Sequence, residues 1–519
     1  MPELKQSYAV SAAPRPFLAA LLSAVVPGAG QLYAGRRVRG AVMVAVTAAI
    51  FLLAGVLWVQ GPLFLLRLLV RPPVLLGLLA ANAVLLGFRA VAVVDAYRLA
   101  VRARPRAARR ASAAALAVLV AVTAAPHVAA AYYNYRSYDL LESVFADEEP
   151  GDSLFTGTGE SPLLELPPAP TEGAGAPRAL QAVAKAKHPW LTILLIGGDA
   201  GASRWGLRND TMIVVALQQG TGKVAAFGVP RSFVRVPLPG AAGARYGTYD
   251  EPLYGFYGFG RAHADLFAGG RDPGATGLKQ TLAQLLGLRI DYYALVDLRG
   301  FVEMVDALGG VYVVPNERVR DEVSPPYAGE KWIPIDVWPG TRYHLDGREA
   351  LAYARSRWAS SDYTRMQRQR CLLSTMAEQL DVTKILRGFP QLASAVKAYV
   401  TTDVPLSRLP DLVALVADVD PGRSVTVTLG PPDYTGAYYT LPSKEPPAAK
   451  KPPVAKKPPA TSIRKKGDKP AKKPEPPPPP PKYPSPDVDA IRETVRRMIL
   501  LDPRDLRERY GLLTVRRTC

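Results

Sequence analysis

The chain has 519 residues and a formal net charge of +19, a length that allows about three compact units with large cores. Residues 1–132 carry fourteen Lys and Arg against two acids, a net of +12, and residues 444–482 carry twelve against three, a net of +9, which leaves about −2 for the rest. This near-neutral remainder argues against a nucleic-acid-binding domain with a basic face. Two cysteines exclude a disulfide framework, and four histidines argue against a zinc cluster.

The first quarter of the chain contains four apolar stretches, at roughly 16–35, 40–60, 73–95 and 111–133. Each is close to the ~20 residues that an α-helix needs to cross the hydrocarbon core of a bilayer. Soluble helices of this length rarely lack a polar face, so buried helices of a soluble protein are the weaker interpretation. A short hydrophobic region with a cleavage site is absent, which favours retained anchoring over a removed signal peptide. Residues 1–132 are therefore predicted to form an all-α membrane module with three or four transmembrane segments.

Arginine positions predict the orientation of this module. Six arginines lie between residues 98 and 110, and such clusters mark the cytoplasmic side of a membrane. We therefore expect a multi-pass cell-membrane protein in which everything after about Tyr132 is extracytoplasmic. The first stretch contains PGAGQLYAGR (27–36), which is similar to the P-G-x-G-Q-x-Y signature of small two-span bacterial membrane domains. Its Pro27 and Gly28 break helices, which favours a re-entrant or interfacial helix over a complete span.

Two segments have the composition of linkers. Residues 133–188 are predicted to form an extracytoplasmic linker, because sequences such as DEEPGDS and PPAPTEGAGAP carry few large apolar residues. Residues 444–482 are rich in Lys and Pro, with six consecutive prolines at 476–481, and are predicted to form a disordered, extended insertion. This insertion is either a solvated spacer or a cationic loop that touches anionic wall polymers.

The remaining residues, 189–443 and 483–519, are predicted to form one domain of alternating strands and helices. Apolar runs typical of strands lie at 192–198, 211–218, 223–230, 290–297 and 311–315, and helical patterns lie at 274–287, 299–308, 347–355, 362–380 and 487–506. A mixture of this kind predicts an α/β or α+β sandwich.

Arginine and aspartate recur at the predicted ends of these elements, without a recognised nucleophile, zinc or P-loop motif. They are Asp199, Arg208, Asp210 and Arg231 at strand ends, Arg355 and Arg357 after the 347–354 helix, and Arg365, Arg368 and Gln369 on one face of the next helix. One guanidinium group can bind two phosphate oxygens at once, and it stays charged. Several converging arginines therefore predict a multiply anionic ligand. Carboxylates among them would repel that ligand unless a hard cation such as Mg²⁺ bridges the two. The alternative is that each arginine is a solvated surface charge.

Six sequence blocks in this domain resemble those of the LytR-CpsA-Psr family of bacterial cell-wall glycopolymer ligases. They are LLIGGD, RNDTM, VPR, DLRGFVEMVDALGGVYV, HLDGREALAYARSR and DYTRMQRQRCLL, in that order. The resemblance covers residues 189–443 and, beyond the insertion, about 484–505. It implies an α/β fold, an α-β-α sandwich that surrounds an apolar tunnel for a lipid tail, with a pyrophosphate at the charged mouth of the tunnel.

The activity that the resemblance implies is a phosphotransfer. A glycopolymer would move from a polyprenyl-pyrophosphate carrier in the membrane to peptidoglycan, as a phosphodiester and with Mg²⁺ as cofactor, without a covalent enzyme nucleophile. By motif position, Asp199 and Asp210 correspond to the magnesium-associated carboxylates. The pyrophosphate-binding set corresponds to Arg208, Arg231, Arg261, Arg355, Arg357, Arg365 and Gln369. The catalytic candidates are Arg231, Arg355 and Asp210, and the group that deprotonates the acceptor stays open between an aspartate and an arginine.

The sequence departs from the family pattern at several positions. Arg261 stands at the lysine and His263 at the asparagine of the family's K-I-N-A segment, and Ser232 stands where an acid usually follows Pro-Arg. Asp362 matches the acid before the R-x-x-R-Q helix and is a further candidate for contact with the metal. Two other functions stay open: hydrolysis of the polyprenyl pyrophosphate at the same site, and a non-enzymatic role as a membrane-tethered regulator of envelope assembly.

Overall fold

The computed structural model of the chain begins with six helices. They are α1 (Pro16–Val25), α2 (Ala29–Tyr33), α3 (Arg37–Val59), α4 (Pro62–Leu69), α5 (Pro72–Val101) and α6 (Ala107–Val144). The structure describes residues 15–101, 107–145, 190–199, 207–267, 269–326, 329–357, 361–379, 382–441, 481–510 and 513–514. Most of the predicted linker at 133–188 and of the predicted insertion at 444–482 lies outside these residues.

Three of these helices are long and apolar enough to cross a membrane by length and composition. They are α3, α5 and the Ala113–Val144 part of α6, which overlap the second, third and fourth apolar stretches of the sequence. α4 is a short helix between two of those stretches. Three of the three or four expected segments therefore have the dimensions of a span.

The first apolar stretch forms two short helices instead of one long helix. Between them, Gly28 has a φ of +104°, a left-handed conformation that favours glycine. The backbone groups at the break find partners inside the protein, because the Gly30 amide donates to Ser23 Oγ at 3.0 Å and Arg89 donates to the Ala24 carbonyl at 2.6 Å. Irregular backbone at membrane depth requires such internal partners.

Close packing explains the second glycine of the PGAGQLY motif. A Cβ on Gly30 would lie 1.9 Å from the carbonyl oxygen of Ala19 in α1, so only glycine has room there. The neighbouring Gln31 is fully buried, and its amide donates to the carbonyl of Ala92 in α5 at 2.8 Å. The motif therefore packs α2 tightly against α1 and α5.

The rest of the described chain contains fifteen strands. They are β1 (Trp190–Asp199), β2 (Arg208–Gln218), β3 (Val224–Gly228), β4 (Val236–Pro237), β5 (Thr248–Tyr249), β6 (Tyr292–Asp297), β7 (Val311–Val313), β8 (Val319–Val323), β9 (Ile333–Val337), β10 (Tyr343–Leu345), β11 (Val400–Thr402), β12 (Ser424–Thr428), β13 (Thr435–Thr440), β14 (Lys482–Pro486) and β15 (Leu513–Thr514). Seven of them form one mixed sheet in the order β11-β6-β1-β2-β3-β12-β15. β1, β2 and β3 are antiparallel neighbours, whereas β6 joins β1 and β12 joins β3 in parallel.

Helices cover both faces of this sheet. They are α7 (Gly240–Tyr246), α8 (Phe256–Ala262), α9 (Pro273–Leu286), α10 (Leu298–Ala307), α11 (Gly347–Arg355), α12 (Asp362–Glu378), α13 (Val382–Tyr399), α14 (Leu409–Ala417), α15 (Val488–Leu500) and α16 (Pro503–Tyr510). On one face, Leu194 of β1 shares a core with Leu282 of α9 and Ile491 of α15. On the other, Leu191 of β1 shares a core with Leu415 of α14. The domain is therefore an α-β-α sandwich, which confirms the predicted α/β fold class.

Two pairs of short strands form a lobe beside the main sheet. β7 pairs with β10, β8 pairs with β9, and their apolar side chains share a second core with α11, to which Val319, Ile335 and Ala350 belong. β13 and β14 form a separate hairpin in which Thr440 lies opposite Lys482. The two ends of the segment 441–481 are therefore adjacent, and the chain returns from it directly into the main core through α15.

α6 continues beyond its apolar stretch and contacts the α/β domain. Lys397 of α13 forms a salt bridge with Asp139 of α6, with an Nζ–Oδ1 distance of 2.7 Å. The ring of Tyr133 lies 6.4 Å from that of Phe389, centroid to centroid. α4 also contacts α14. The domain is thus attached to the helical module by packing as well as by the chain that connects them.

Candidate functional site

A cavity of about 770 Å³ opens at the end of β1 that carries Asp199. Seven of the nine predicted site residues line it: Asp199, Arg208, Asp210, Arg231, Arg355, Arg357 and Arg365. The cavity is also lined by Asp362 and Ser232, two positions named above in the comparison with the family pattern. Charged side chains from separate strands and helices therefore face one common space.

The order of the strands explains why the first of these residues meet. β1 and β2 are antiparallel, with Asp199 directly opposite Arg208. β2 and β3 are antiparallel too, with Ile213 opposite Gly228, so Arg231, which follows β3, returns to the beginning of β2. In antiparallel neighbours the end of one strand lies beside the beginning of the next, so these positions meet at the same end of the sheet.

α12 completes the surroundings of Arg231. Asp362, the first residue of this helix, accepts at Oδ1 from Arg231 Nε at 3.3 Å and lies 2.9 Å from Arg365 Nη2 through the same oxygen. Arg231 also forms a salt bridge with Asp210. Two arginines therefore share one carboxylate oxygen, and a second carboxylate contacts one of them.

Burial and charge act in opposite directions on these two guanidinium groups. Burial works against the charged form of Arg231, but the carboxylates of Asp210 and Asp362 outweigh it, so the pKa of Arg231 is raised. Arg365 is 3% exposed, and its burial, together with the positive charge of Arg231, lowers its pKa. An additional negative charge beside this pair would stabilise both guanidinium groups.

A second ion pair lies across the same cavity. Arg355 Nη2 is 3.1 Å from Oδ2 of Asp199. Asp199 is only 1% exposed. Arg355 Nη1 donates to the carbonyl of Ser324 at 2.9 Å. Asp321 of β8 accepts from the backbone amide of Arg357 at 3.0 Å. The end of α11 and the turn after it are therefore fixed by contacts with β1 and with the β8 hairpin strand.

Two of the nine predicted residues lie outside the cavity wall. Arg261 is exposed on α8. Gln369 donates to the carbonyl of Ala354 at 3.3 Å, so it supports the last turn of α11 instead of facing the cavity. His263 makes a local contact on α8, with its Nδ1 3.0 Å from the carbonyl oxygen of Phe259.

Several wall residues carried no signal in the sequence. They are Tyr254, Asp321, Glu322, Val323, Ser324, Trp332 and Tyr483. The guanidinium carbon of Arg208 lies 4.9 Å from the ring centroid of Tyr254, and burial raises the pKa of Tyr254, as does its hydrogen bond with Tyr483. Tyr483 belongs to β14, so the segment beyond the insertion contributes to the cavity. None of these positions belongs to a sequence motif identified above.

Positive and negative charges in the described cavity wall are equal in number. Five arginines, Arg208, Arg231, Arg355, Arg357 and Arg365, accompany five carboxylates, Asp199, Asp210, Asp321, Glu322 and Asp362. A bare phosphate would meet repulsion from the carboxylates as well as attraction from the arginines. A phosphate accompanied by a cation satisfies both sets.

The oxygen donors of this wall fit a hard divalent cation that the substrate helps to bind. Oδ2 of Asp362 is buried and has no hydrogen-bond partner among the described residues, and an orphaned carboxylate oxygen is a suitable ligand for Mg²⁺. Within the same ranges, no group of three acidic, His or Cys side chains could hold a metal by itself. Mg²⁺ commonly uses one or two carboxylates together with substrate phosphates. The candidate ligands are Asp362 and the two predicted carboxylates, Asp199 and Asp210.

The apolar part of the cavity wall is small. It consists of Val323 and the rings of Tyr254, Trp332 and Tyr483. Between β1 and α9 the core is filled by side chains without exposed surface, such as Leu282. The apolar tunnel for a lipid tail therefore stays a prediction.

Known proteins resemble the α/β part of this chain. The sequence profile of the LytR_cpsA_psr family matches residues 172–446, more than half of the chain. Probable cell wall biosynthesis protein LcpB of Corynebacterium glutamicum is 32% identical over 209 residues, which cover 39% of this chain and 42% of the relative. Biofilm regulatory protein A of Streptococcus mutans is 28% identical over 225 residues, 42% of this chain and 50% of the relative. The chain spans about half the length of the curated relatives it matches.

Solved structures align with a similar part of the chain. The crystal structure of B. subtilis TagV has a TM-score of 0.40 and 22% identity, over 60% of this chain and 95% of that one. TagT bound to LIIa-WTA has a TM-score of 0.38 and 19% identity, over 60% of this chain and 89% of that one. The match of the family profile to more than half of its length shows that the chain belongs to the LytR_cpsA_psr family.

Proposed function

We propose that the protein transfers a glycopolymer from a polyprenyl-pyrophosphate carrier to peptidoglycan and joins the two as a phosphodiester. The observation that carries this proposal is the single cavity in which Arg231, Arg355 and Arg365 are each held by an aspartate. A pyrophosphate has the charge and the number of oxygens to engage three oriented guanidinium groups. Family membership and the resemblance to a probable cell wall biosynthesis protein support the class of polymer and acceptor.

The arginines would supply most of the catalysis. An acceptor hydroxyl forms a bond to the phosphorus that carries the glycopolymer, and the bond from that phosphorus to the bridging oxygen breaks, so polyprenyl phosphate leaves. Negative charge then grows on the leaving phosphate and on the oxygens of the transferred group. Guanidinium groups that are already oriented stabilise this charge without reorganisation. The proton of the acceptor passes to an aspartate of the wall, for which Asp199 and Asp210 are the candidates.

Mg²⁺ is the cofactor that we propose for this site. When bound, it supplies neutralising charge at the phosphate oxygens that approach the carboxylates. The unpartnered Oδ2 of Asp362 and the equal number of acidic and basic side chains support this choice. Asp362 with Asp199 or Asp210 would hold the ion.

We also propose that the α/β domain lies outside the cytoplasm, anchored by a multi-pass module. Three helices have the length and composition of membrane spans. The arginines between residues 98 and 110 favour a cytoplasmic connection between α5 and α6. α6 then leads out of the membrane to the domain that it contacts, where a lipid-linked donor and peptidoglycan are both accessible.

Removal of a cavity arginine tests the proposed activity. Arg231→Ala and Arg355→Ala should each lower transfer by at least about 100-fold, the size of effect seen when a charge-stabilising donor is lost, while the protein stays folded by circular dichroism. The assay uses the purified full-length protein in detergent with a lipid-linked polymer and peptidoglycan. Arg261→Ala is the matched control, since Arg261 lies outside the cavity, and it should stay within about twofold of the wild type. Full activity in both cavity variants would eliminate the proposed site.

The products of the same assay separate the alternatives. Polymer bound to peptidoglycan supports transfer, whereas free polymer would identify a polyprenyl-pyrophosphate hydrolase. Mass spectrometry of the purified protein should also detect a copurified polyprenyl phosphate lipid. Copurified lipid without any turnover would point to a membrane-tethered binding protein. Turnover that persists in the presence of a chelator would remove Mg²⁺ from the proposal.

A further inference from the structure

An exposed tryptophan stands in the mostly charged wall of the cavity. Trp332, directly before β9, is 58% exposed and lines the cavity. Within the described part of the chain, no aromatic ring or cation stacks on it. An aromatic side chain in the wall of a cavity lined by charged groups can serve as a contact for a ligand.

The backbone around Trp332 is anchored. Arg348 of α11 forms a salt bridge with Glu330 and donates to the carbonyl of Lys331 at 3.2 Å. The next residue, Ile333, is buried at 4% exposure and pairs with Val323 across the hairpin. The indole ring therefore projects into the cavity from a segment that is fixed on both sides.

The register of the hairpin places this ring beside the ion pair of Arg355. The β8–β9 pairing ends with Val323 opposite Ile333, so Ser324 and Trp332 lie directly beyond the last pair, and both line the cavity. The carbonyl of Ser324 accepts from Arg355 Nη1 at 2.9 Å. A group attached to a phosphate bound at Arg355 would therefore have the indole within the same cavity.

We propose that Trp332 is the stacking surface for the sugar ring attached directly to the pyrophosphate of the donor. This inference rests on the proposed function and names the specificity-determining contact of the same site. One face of a pyranose is formed by C–H groups, and it can cover an indole as another apolar ring does. The hydroxyl groups at the edge of the sugar can donate to carboxylates of the wall, among them Glu322.

The test compares one ligand that carries a sugar with one that does not. Farnesyl-pyrophosphoryl-N-acetylglucosamine and farnesyl pyrophosphate are titrated into the full-length protein in detergent with Mg²⁺. Trp332→Ala should weaken binding of the sugar-bearing ligand about tenfold, the effect of exposing one apolar ring face, and leave binding of farnesyl pyrophosphate unchanged. Trp332→Phe, which keeps a flat ring, should restore most of the affinity.

Trp338 provides the matched control on the same hairpin. It is 52% exposed, but the guanidinium carbon of Arg318 lies 3.8 Å from its ring centroid and it is not part of the cavity wall. Trp338→Ala should change neither affinity. An equal loss for both ligands in Trp332→Ala, or no loss for either, overturns the stacking proposal while the pyrophosphate site stands. A wild-type protein that binds neither ligand overturns the proposed function itself.

Discussion

Replacement of Asp362 by asparagine tests whether a shared carboxylate orients the two central arginines. Oδ1 of Asp362 lies 3.3 Å from Arg231 Nε and 2.9 Å from Arg365 Nη2. Asparagine keeps the shape and one accepting oxygen but removes the negative charge. Among the described contacts, Arg231 would then keep its salt bridge with the carboxylate of Asp210, and Arg365 would keep only the backbone carbonyl of Asp210, 3.5 Å from its Nη2.

The magnitude follows from the exposure of the three side chains. Asp362 is 22% exposed, Arg231 15% and Arg365 3%. The interaction therefore lies between an exposed ion pair, worth under ~1 kcal/mol, and a buried one, whose disruption costs ~3–5 kcal/mol. We expect Asp362→Asn to lower the free energy of unfolding by about 2 kcal/mol, which is roughly 4–8 °C in Tm for a domain of this size.

The assay is thermal unfolding of the full-length protein in detergent, with and without inorganic pyrophosphate. Pyrophosphate brings negative charge to the arginines that have lost their partner, so it should raise the Tm of Asp362→Asn more than that of the wild type. Asp250→Asn is the control, because Asp250 is 68% exposed and lies 3.9 Å from Arg235. The reasoning is refuted if Asp362→Asn melts with the wild type and responds equally to pyrophosphate.

Three further predictions concern residues outside the site. Burial lowers the pKa of Lys223 to about 8, below its value in the unfolded chain. Between pH 8 and about 10.5 the unfolded chain therefore binds a proton that the folded protein has released, so the free energy of unfolding should rise with pH. From pH 7.5 to 10 the wild type should gain about 2 kcal/mol relative to Lys223→Met, measured by denaturant unfolding. Gly30→Ala places a Cβ 1.9 Å from the carbonyl oxygen of Ala19, so the full chain should melt several degrees lower, and an unchanged Tm would contradict the close packing. Lys397→Glu should cost at most about 1 kcal/mol, as expected of an exposed pair, and the exchange of charges with Asp139→Lys should restore the loss.

The sequence could predict which site residues lie together where those residues stand at the ends of strands or helices. Asp199, Arg208 and Arg231 flank continuous apolar runs. Antiparallel pairing of those runs brings the three residues to the same end of the sheet. Helical spacing predicts that Gln369 faces the same side as Arg365, because residues four apart share a helix face. Its amide instead reaches Ala354, a contact that depends on where α11 packs and that helical spacing does not encode.

Other parts of the structure depend on partners distant in the sequence. Trp332 and Asp321 enter the cavity through a hairpin whose position is set by packing against α11, so no local pattern identifies them. The apolar pattern of the fourth membrane stretch ends near Tyr133, yet α6 runs to Val144. The polar residues that extend it are stabilised by α13, more than 200 residues later, as the pair of Asp139 and Lys397 illustrates.

The unbroken course of α6 has a consequence for how donor and acceptor meet. The Ala113–Val144 part contains 32 residues, about 48 Å of helix at 1.5 Å per residue, of which about 30 Å suffices to traverse the hydrocarbon in the proposed topology. The remaining length of the helix extends beyond the hydrocarbon core toward the α/β domain. In the proposed topology and function, the α/β domain that α6 contacts would therefore stay at a height above the bilayer that this helix sets, and the donor pyrophosphate would have to reach that height.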